Sequence, residues 1–185
     1  MPTIFSHAIF STALGAAYAT EPMPKRFWFL AVMCSVLPDF DVIAFNLGIP
    51  YRSVWGHRGF THSLLFAVLA GCVIAWSAFP QEELATIKRS RISLGIFFSV
   101  ATISHLALDS LTNGGLGVAA LWPLENTRFF APWRPIRVSP IGADFFSAYG
   151  IQVLANEILW IWLPALALVA AAKLFQRTVR AANAN

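Results

Sequence analysis

Polar and apolar positions alternate along this chain on the scale of whole segments, not single residues. Five apolar stretches stand out, at about 4–20, 27–49, 61–79, 92–112 and 151–173, each close to the roughly 17–25 residues a helix needs to cross a bilayer. Pro38 divides the second stretch, so its last third is expected to kink or re-enter, and Pro164 is expected to kink the fifth. Residues 113–150 hold Gly, Pro, Trp122, Trp133 and several Phe, and read as a long loop lying against the membrane surface. The pattern predicts an all-α polytopic transmembrane bundle of about five spans, built as one integral-membrane domain over 1–185.

Composition strengthens that expectation. The chain is 57% hydrophobic and 12% charged, about half the charge of a soluble domain at roughly 25%. Cys34 and Cys72 both fall in apolar stretches and read as buried free thiols. Ala17-Tyr18-Ala19 resembles a signal-peptidase site, but no Lys or Arg precedes it, so cleavage is not expected. The net charge of +4 comes from small basic groups between apolar segments; no nucleic-acid partner is expected, and the bilayer itself is the first partner.

Against this background the few ionisable groups are conspicuous, because charge at membrane depth is costly and marks function. They fall in Pro38-Asp39-Phe40-Asp41, in His57-Arg58-Gly59-Phe60-Thr61-His62-Ser63 and in His105-Leu106-Ala107-Leu108-Asp109, with His7 near the start and Glu157 in the last stretch. Tracing five crossings brings all of them to the face on which the chain begins. His105 and Asp109, four apart, share one helix face. Gly59 permits a turn between His57 and His62, and Thr61 or Ser63 is placed to cap the helix that follows. Imidazoles with carboxylates are the ligand set of zinc and other first-row metals. The predicted metal ligands are therefore His7, Asp39, Asp41, His57, His62, His105 and Asp109, holding one or two divalent ions, with zinc ahead of manganese or iron. Glu157 or Asp41 is the candidate general base, and Arg58 and Arg128 are candidates to hold an anionic substrate.

Eight Lys and Arg (Lys25, Arg26, Lys88, Arg89, Arg91, Lys173, Arg177, Arg180) fall on the opposite face, against five (Arg52, Arg58, Arg128, Arg134, Arg137) on the site face. The positive-inside rule then puts the C-terminus in the cytoplasm, and the N-terminus and the site on the periplasmic or external side.

At these residues the sequence resembles the YdjM-type family of bacterial inner-membrane metal-dependent hydrolases. The resemblance spans nearly the whole chain. It rests on His7, on the three clusters above, on Thr112, and on Trp122-Pro123-Leu124 with Arg128-Phe129 behind. It implies metal-dependent hydrolysis without naming a substrate. A more distant similarity is to zinc-dependent phospholipase C and the S1/P1 nucleases, which pair His-x-x-x-Asp with His-x-x-x-Glu. His105 and Asp109 match the first pair, whereas Val153 stands where the second would need a histidine four before Glu157. The expected activity is hydrolysis of a phosphoester or other ester of a lipid or anionic small molecule by metal-activated water. The alternative is a metal-binding transporter or sensor without hydrolysis. His-Glu-x-x-His is absent, which disfavours an intramembrane zinc protease.

Overall fold

The computed structural model describes residues 1–183. Helix α1 runs Ile4–Tyr18 and α2 Lys25–Val36, followed by a 3-10 segment, Leu37–Val42, and the short α3, Ile43–Asn46. After a 3-10 turn at Phe60–His62 come α4 (Leu64–Ala78), α5 (Gln81–Thr86) and α6 (Arg91–Ser110). Helix α7 (Ala148–Glu157) passes through a π-turn, Ile158–Trp162, into α8 (Leu163–Ala182). Among the described residues there are two isolated β-bridges and no strand.

Three helical stretches are long and apolar enough to cross a membrane: Lys25–Asn46, Arg91–Ser110 and Ala148–Ala182. The other two expected spans are the apolar helices α1 and α4, each of 15 residues. At 1.5 Å per residue such a helix reaches roughly 22 Å, short of a hydrocarbon layer of about 30 Å. Side-chain caps set where they start. Thr3 accepts from Ser6 N ahead of α1, and Ser63 from Phe66 N ahead of α4. Ser90 and Ser147 do the same for α6 and α7. Ser63, one of the two residues expected to cap α4, takes that role, so His57 and His62 stay in the preceding loop. Pro38 cannot donate to the helical ladder, and the chain tightens into the 3-10 segment there. Before Pro164 the ladder widens instead, into the π-turn.

The two ends of the bundle differ in chemistry. At one end Phe27, Cys34, Ala75, Phe79, Leu94, Phe97 and Phe98 form the main apolar core, drawn from α2, the end of α4 and the first half of α6. Helices α4 and α6 pack closely; a Cβ at Gly71 would come within 2.5 Å of Ser99 N, so only glycine allows that approach. The basic residues at this end cap α1. Lys173 donates to Ala19 O, Gln176 to Ala17 O, Arg89 to Tyr18 O and Arg180 to Thr20 O, supplying donors to carbonyls a helix C-terminus leaves free. Cys34 is buried, but Cys72 lies on the outer face of α4; both thiols are free.

The other end carries the polar clusters. The long segment after α6 folds back over it through backbone bonds: Ala119 N to Arg58 O, Leu64 N to Ala120 O, Ala131 N to Ser110 O and Asn113 N to Ile136 O. Trp55, Leu124, Trp133 and Phe146 remain exposed on its loops, as aromatic and apolar side chains do at a membrane interface.

Candidate metal centre

Asp39 comes from the 3-10 segment, His62 from the turn before α4, and His105 and Asp109 from consecutive turns of α6. All four are buried, and one ligand atom from each lies within 4.8 Å of the others. The two Nε2 atoms of His62 and His105 stand 3.0 Å apart. His105 Nε2 is 3.3 Å from Asp39 Oδ1 and His62 Nε2 is 3.4 Å from Asp109 Oδ2; the cross pairs are 3.7 and 4.0 Å. A tetrahedron of donors about 2.05 Å from a zinc ion has edges of about 3.4 Å. The donor spacing here matches that figure.

The imidazoles are already oriented for this. His105 Nδ1 is 2.7 Å from Ser35 O, which can only accept, so Nδ1 carries the hydrogen and Nε2 presents its lone pair to the cluster. His62 Nδ1 is 3.1 Å from Thr61 Oγ1, whose own hydrogen goes to Asp41 Oδ2, so Nδ1 donates to the hydroxyl and the same tautomer holds, with Asp41 Oδ2 also 3.1 Å away. Hydrogen-bonding the far ring nitrogen to a carbonyl or a carboxylate is how metal-ligating histidines are held.

Neither oxygen of Asp39, neither oxygen of Asp109 and neither ring nitrogen of His7 has an aligned hydrogen-bond partner, although all are buried. Arg58 Nε lies 2.8 Å from Asp109 Oδ2 and offsets its charge, whereas Asp39 has only imidazoles beside it and costs free energy unless a cation joins it. His62 lies in the turn outside the spanning helices. Burial on its own would lower its pKa, but Asp109, Asp39 and Asp41 outweigh burial and hold it well above the ordinary 6.5.

Asp41 and His57 form a layer behind this set. Asp41 Oδ1 is 2.6 Å from His57 Nδ1, while Oδ2 accepts from Arg58 N at 3.0 Å and Thr61 Oγ1 at 2.5 Å. Asp41, His57 and His62 are also close enough to share an ion, but Asp41 already takes hydrogens from the His57 loop. His7 stacks on His105 with ring centroids 3.9 Å apart, and its Nε2 is 3.6 Å from Asp109 Oδ1.

The remaining residues singled out in the sequence lie around the cluster and are already engaged. Arg58 is fully buried at φ +62°, with Nε 2.8 Å from Asp109 Oδ2. Its Nη atoms donate to Leu116 O, Gly114 O and Thr112 Oγ1. Arg128 clamps the loop that carries His57, donating to His57 O, Tyr51 O and Ser53 O. Glu157 is fully buried and accepts from Thr3 N, Thr3 Oγ1 and Ser6 Oγ, at the N-terminus of α1. Sequence reasoning did not find Ser35 O or Tyr51. A backbone carbonyl carries no residue signature, although the nearby Pro38 marks where the helical ladder is interrupted. An apolar cleft of about 230 Å³, lined by Ile4, Phe5, Val42, Ile141 and Phe145 among others, opens one residue from Asp41 and one helical turn from His7.

The chain is 39% identical over 172 residues to the inner membrane protein YbcI of Escherichia coli strain K12, covering 91% of this chain and 95% of that protein. No solved structure matches the chain significantly. The profile of the YdjM inner membrane protein family matches residues 1–182, and the chain is a member of that family.

Proposed function

We propose that this protein is a membrane-bound metal-dependent hydrolase that cleaves a phosphoester or other ester of a lipid or membrane-proximal substrate. The observation that carries the reading is the buried cluster in which Asp39, whose oxygens have no hydrogen-bond partner among the described residues, and Asp109 face the two Nε2 atoms of His62 and His105. These four residues would hold the ion, with zinc ahead of manganese or iron for a mixed imidazole and carboxylate set. A divalent ion held there would polarise an ester oxygen and lower the pKa of a water to about 7.

The protein's own groups keep that set in place. Ser35 O fixes the tautomer of His105, Thr61 held by Asp41 fixes that of His62, and Arg58 holds Asp109. His57 holds Asp41, and Arg128 holds the loop of His57. Asp41, Arg58, Arg128 and Glu157 thus act as positioning groups in this reading, not as base or anion holders, since their polar atoms are already engaged. The apolar cleft beside Val42 and Thr3 supports a substrate with a hydrocarbon part. We place the site end on the periplasmic face from the basic-residue asymmetry. Reporter fusions at the C-terminus and within residues 113–147 check this, and a cytoplasmic loop with an external C-terminus would overturn it.

The experiment is elemental analysis of detergent-purified protein beside His62→Ala and His105→Ala variants of equal monodispersity, followed by phosphoester and lipid-ester turnover. Stoichiometric zinc, manganese or iron, lost in both variants, together with turnover that depends on it, is the expected result. No metal in the parent protein after reconstitution with divalent ions rejects the reading. The complete burial of His62, His105 and Asp109 favours a second reading, a sensor that binds the ion without turnover. Stoichiometric metal with no hydrolysis across the ester panel would select it.

A further inference from the structure

A single ion on Asp39, His62, His105 and Asp109 leaves part of the buried polar surface unexplained. With one oxygen used from each carboxylate, the second oxygens of Asp39 and Asp109 and both nitrogens of His7 still have no hydrogen-bond partner among the described residues. Of these, His7 Nε2 and Asp109 Oδ1 stand 3.6 Å apart, in a pair whose side chains have no solvent exposure. That spacing is too long for a hydrogen bond and close to the edge of about 3.4 Å expected between two donors on one small cation. His7 is not one of the four residues whose ligand atoms lie close together, and it meets Asp109 through the other oxygen: Oδ2 approaches His62 and Arg58, while Oδ1 approaches His7. The ring is held flat against His105, so its direction is set by packing.

We infer that His7 and Asp109 Oδ1 form a second divalent-cation site, with Asp109 as a carboxylate bridging two ions. The inference rests on the reading of Asp39, His62, His105 and Asp109 as ligands of the first ion. Two protein donors leave the other positions of the ion to enclosed water. A shared carboxylate is compatible with the separation of about 3.5–4 Å found in two-metal hydrolytic sites. The Asp41, His57 and His62 group is the competing location for a second ion. It is disfavoured because Asp41 already accepts from His57, Arg58 N and Thr61.

The test is the ion count per chain with Zn²⁺, paired with electron paramagnetic resonance of the Mn²⁺-loaded protein, on the full chain in detergent. Two ions per chain and an exchange-coupled Mn²⁺ spectrum are expected for the parent protein. His7→Ala and the milder His7→Asn should each fall to one ion with an uncoupled six-line signal. One ion and an uncoupled signal in the parent protein overturns the inference, whatever the variants do, and leaves the proposed function standing. Retention of both ions in the His7 variants, with loss of one in His57→Ala, also overturns it. A parent protein that binds no ion rejects the inference and the proposed function together.

Discussion

Arg58 offers a sharp test, because its side chain and its backbone make separate, quantitative demands. The guanidinium has no solvent exposure and lies 2.8 Å from Asp109. It also bonds Leu116 O at 2.7 Å, Thr112 Oγ1 at 3.2 Å and Gly114 O at 3.3 Å. Deleting one partner of a buried ion pair costs about 3–5 kcal/mol, so Arg58→Ala should lose roughly 4 kcal/mol of stability. At roughly 2–4 °C per kcal/mol for a chain of this size, the unfolding midpoint should fall by about 10 °C. Arg58→Lys keeps the charge but lacks the planar fork that spans these acceptors, and should lose about half as much. The backbone supplies an internal control. At φ +62° a non-glycine residue carries about 1–2 kcal/mol of strain, so Arg58→Gly should be about 1 kcal/mol more stable than Arg58→Ala although it removes more atoms. The assay is thermal unfolding in detergent, with size-exclusion profiles confirming monodispersity. An Arg58→Ala midpoint within about 2 °C of the parent would refute the role of Arg58 as a buried brace. Alanine outlasting glycine would refute the strain.

Asp41→Asn keeps the shape but weakens the hold on His62 and His57, and should lower metal affinity about 10–100-fold without abolishing binding; unchanged affinity in a competition titration would reject its orienting role. In the metal-free protein the raised pKa of His62 stabilises the fold fully below 6.5. That contribution disappears as pH climbs through the raised value, so the metal-free midpoint should fall with rising pH while metal affinity tightens as the proton leaves. A metal-free midpoint that climbs over that interval contradicts the assignment. Gly59→Ala would drive a Cβ to 2.0 Å from Val54 O; the loop carrying His57 must then open, and both metal content and midpoint should drop together. A Gly59→Ala protein with full metal content would show that the loop has room the structure denies it.

The sequence by itself picked out the polar clusters and the end of the bundle they occupy. Five apolar segments predicted a helical bundle, and their succession brings His7, Asp39, His62, His105 and Asp109 to one end. The spacing of His105 and Asp109 put both on one side of α6 before any tertiary contact was considered. Local pattern could say this much because helix formation and burial depend on neighbours within a few turns.

Only the tertiary structure separated residues of the same chemistry by their partners. Asp39 and Asp41 stand two apart in one motif, yet Asp39 meets the Nε2 atoms of His62 and His105 while Asp41 is taken up by His57, Thr61 and the backbone of Arg58. Glu157 read as a candidate base, and the structure places it against the start of α1, accepting from Thr3 N, 154 residues away in sequence. His7, which stands apart from the three clusters in the sequence, is the histidine whose two ring nitrogens have no hydrogen-bond partner among the described residues. Spacing along one helix assigns a residue to a face. What that face meets depends on how separate helices pack, and contacts between such distant residues leave no trace in a single sequence.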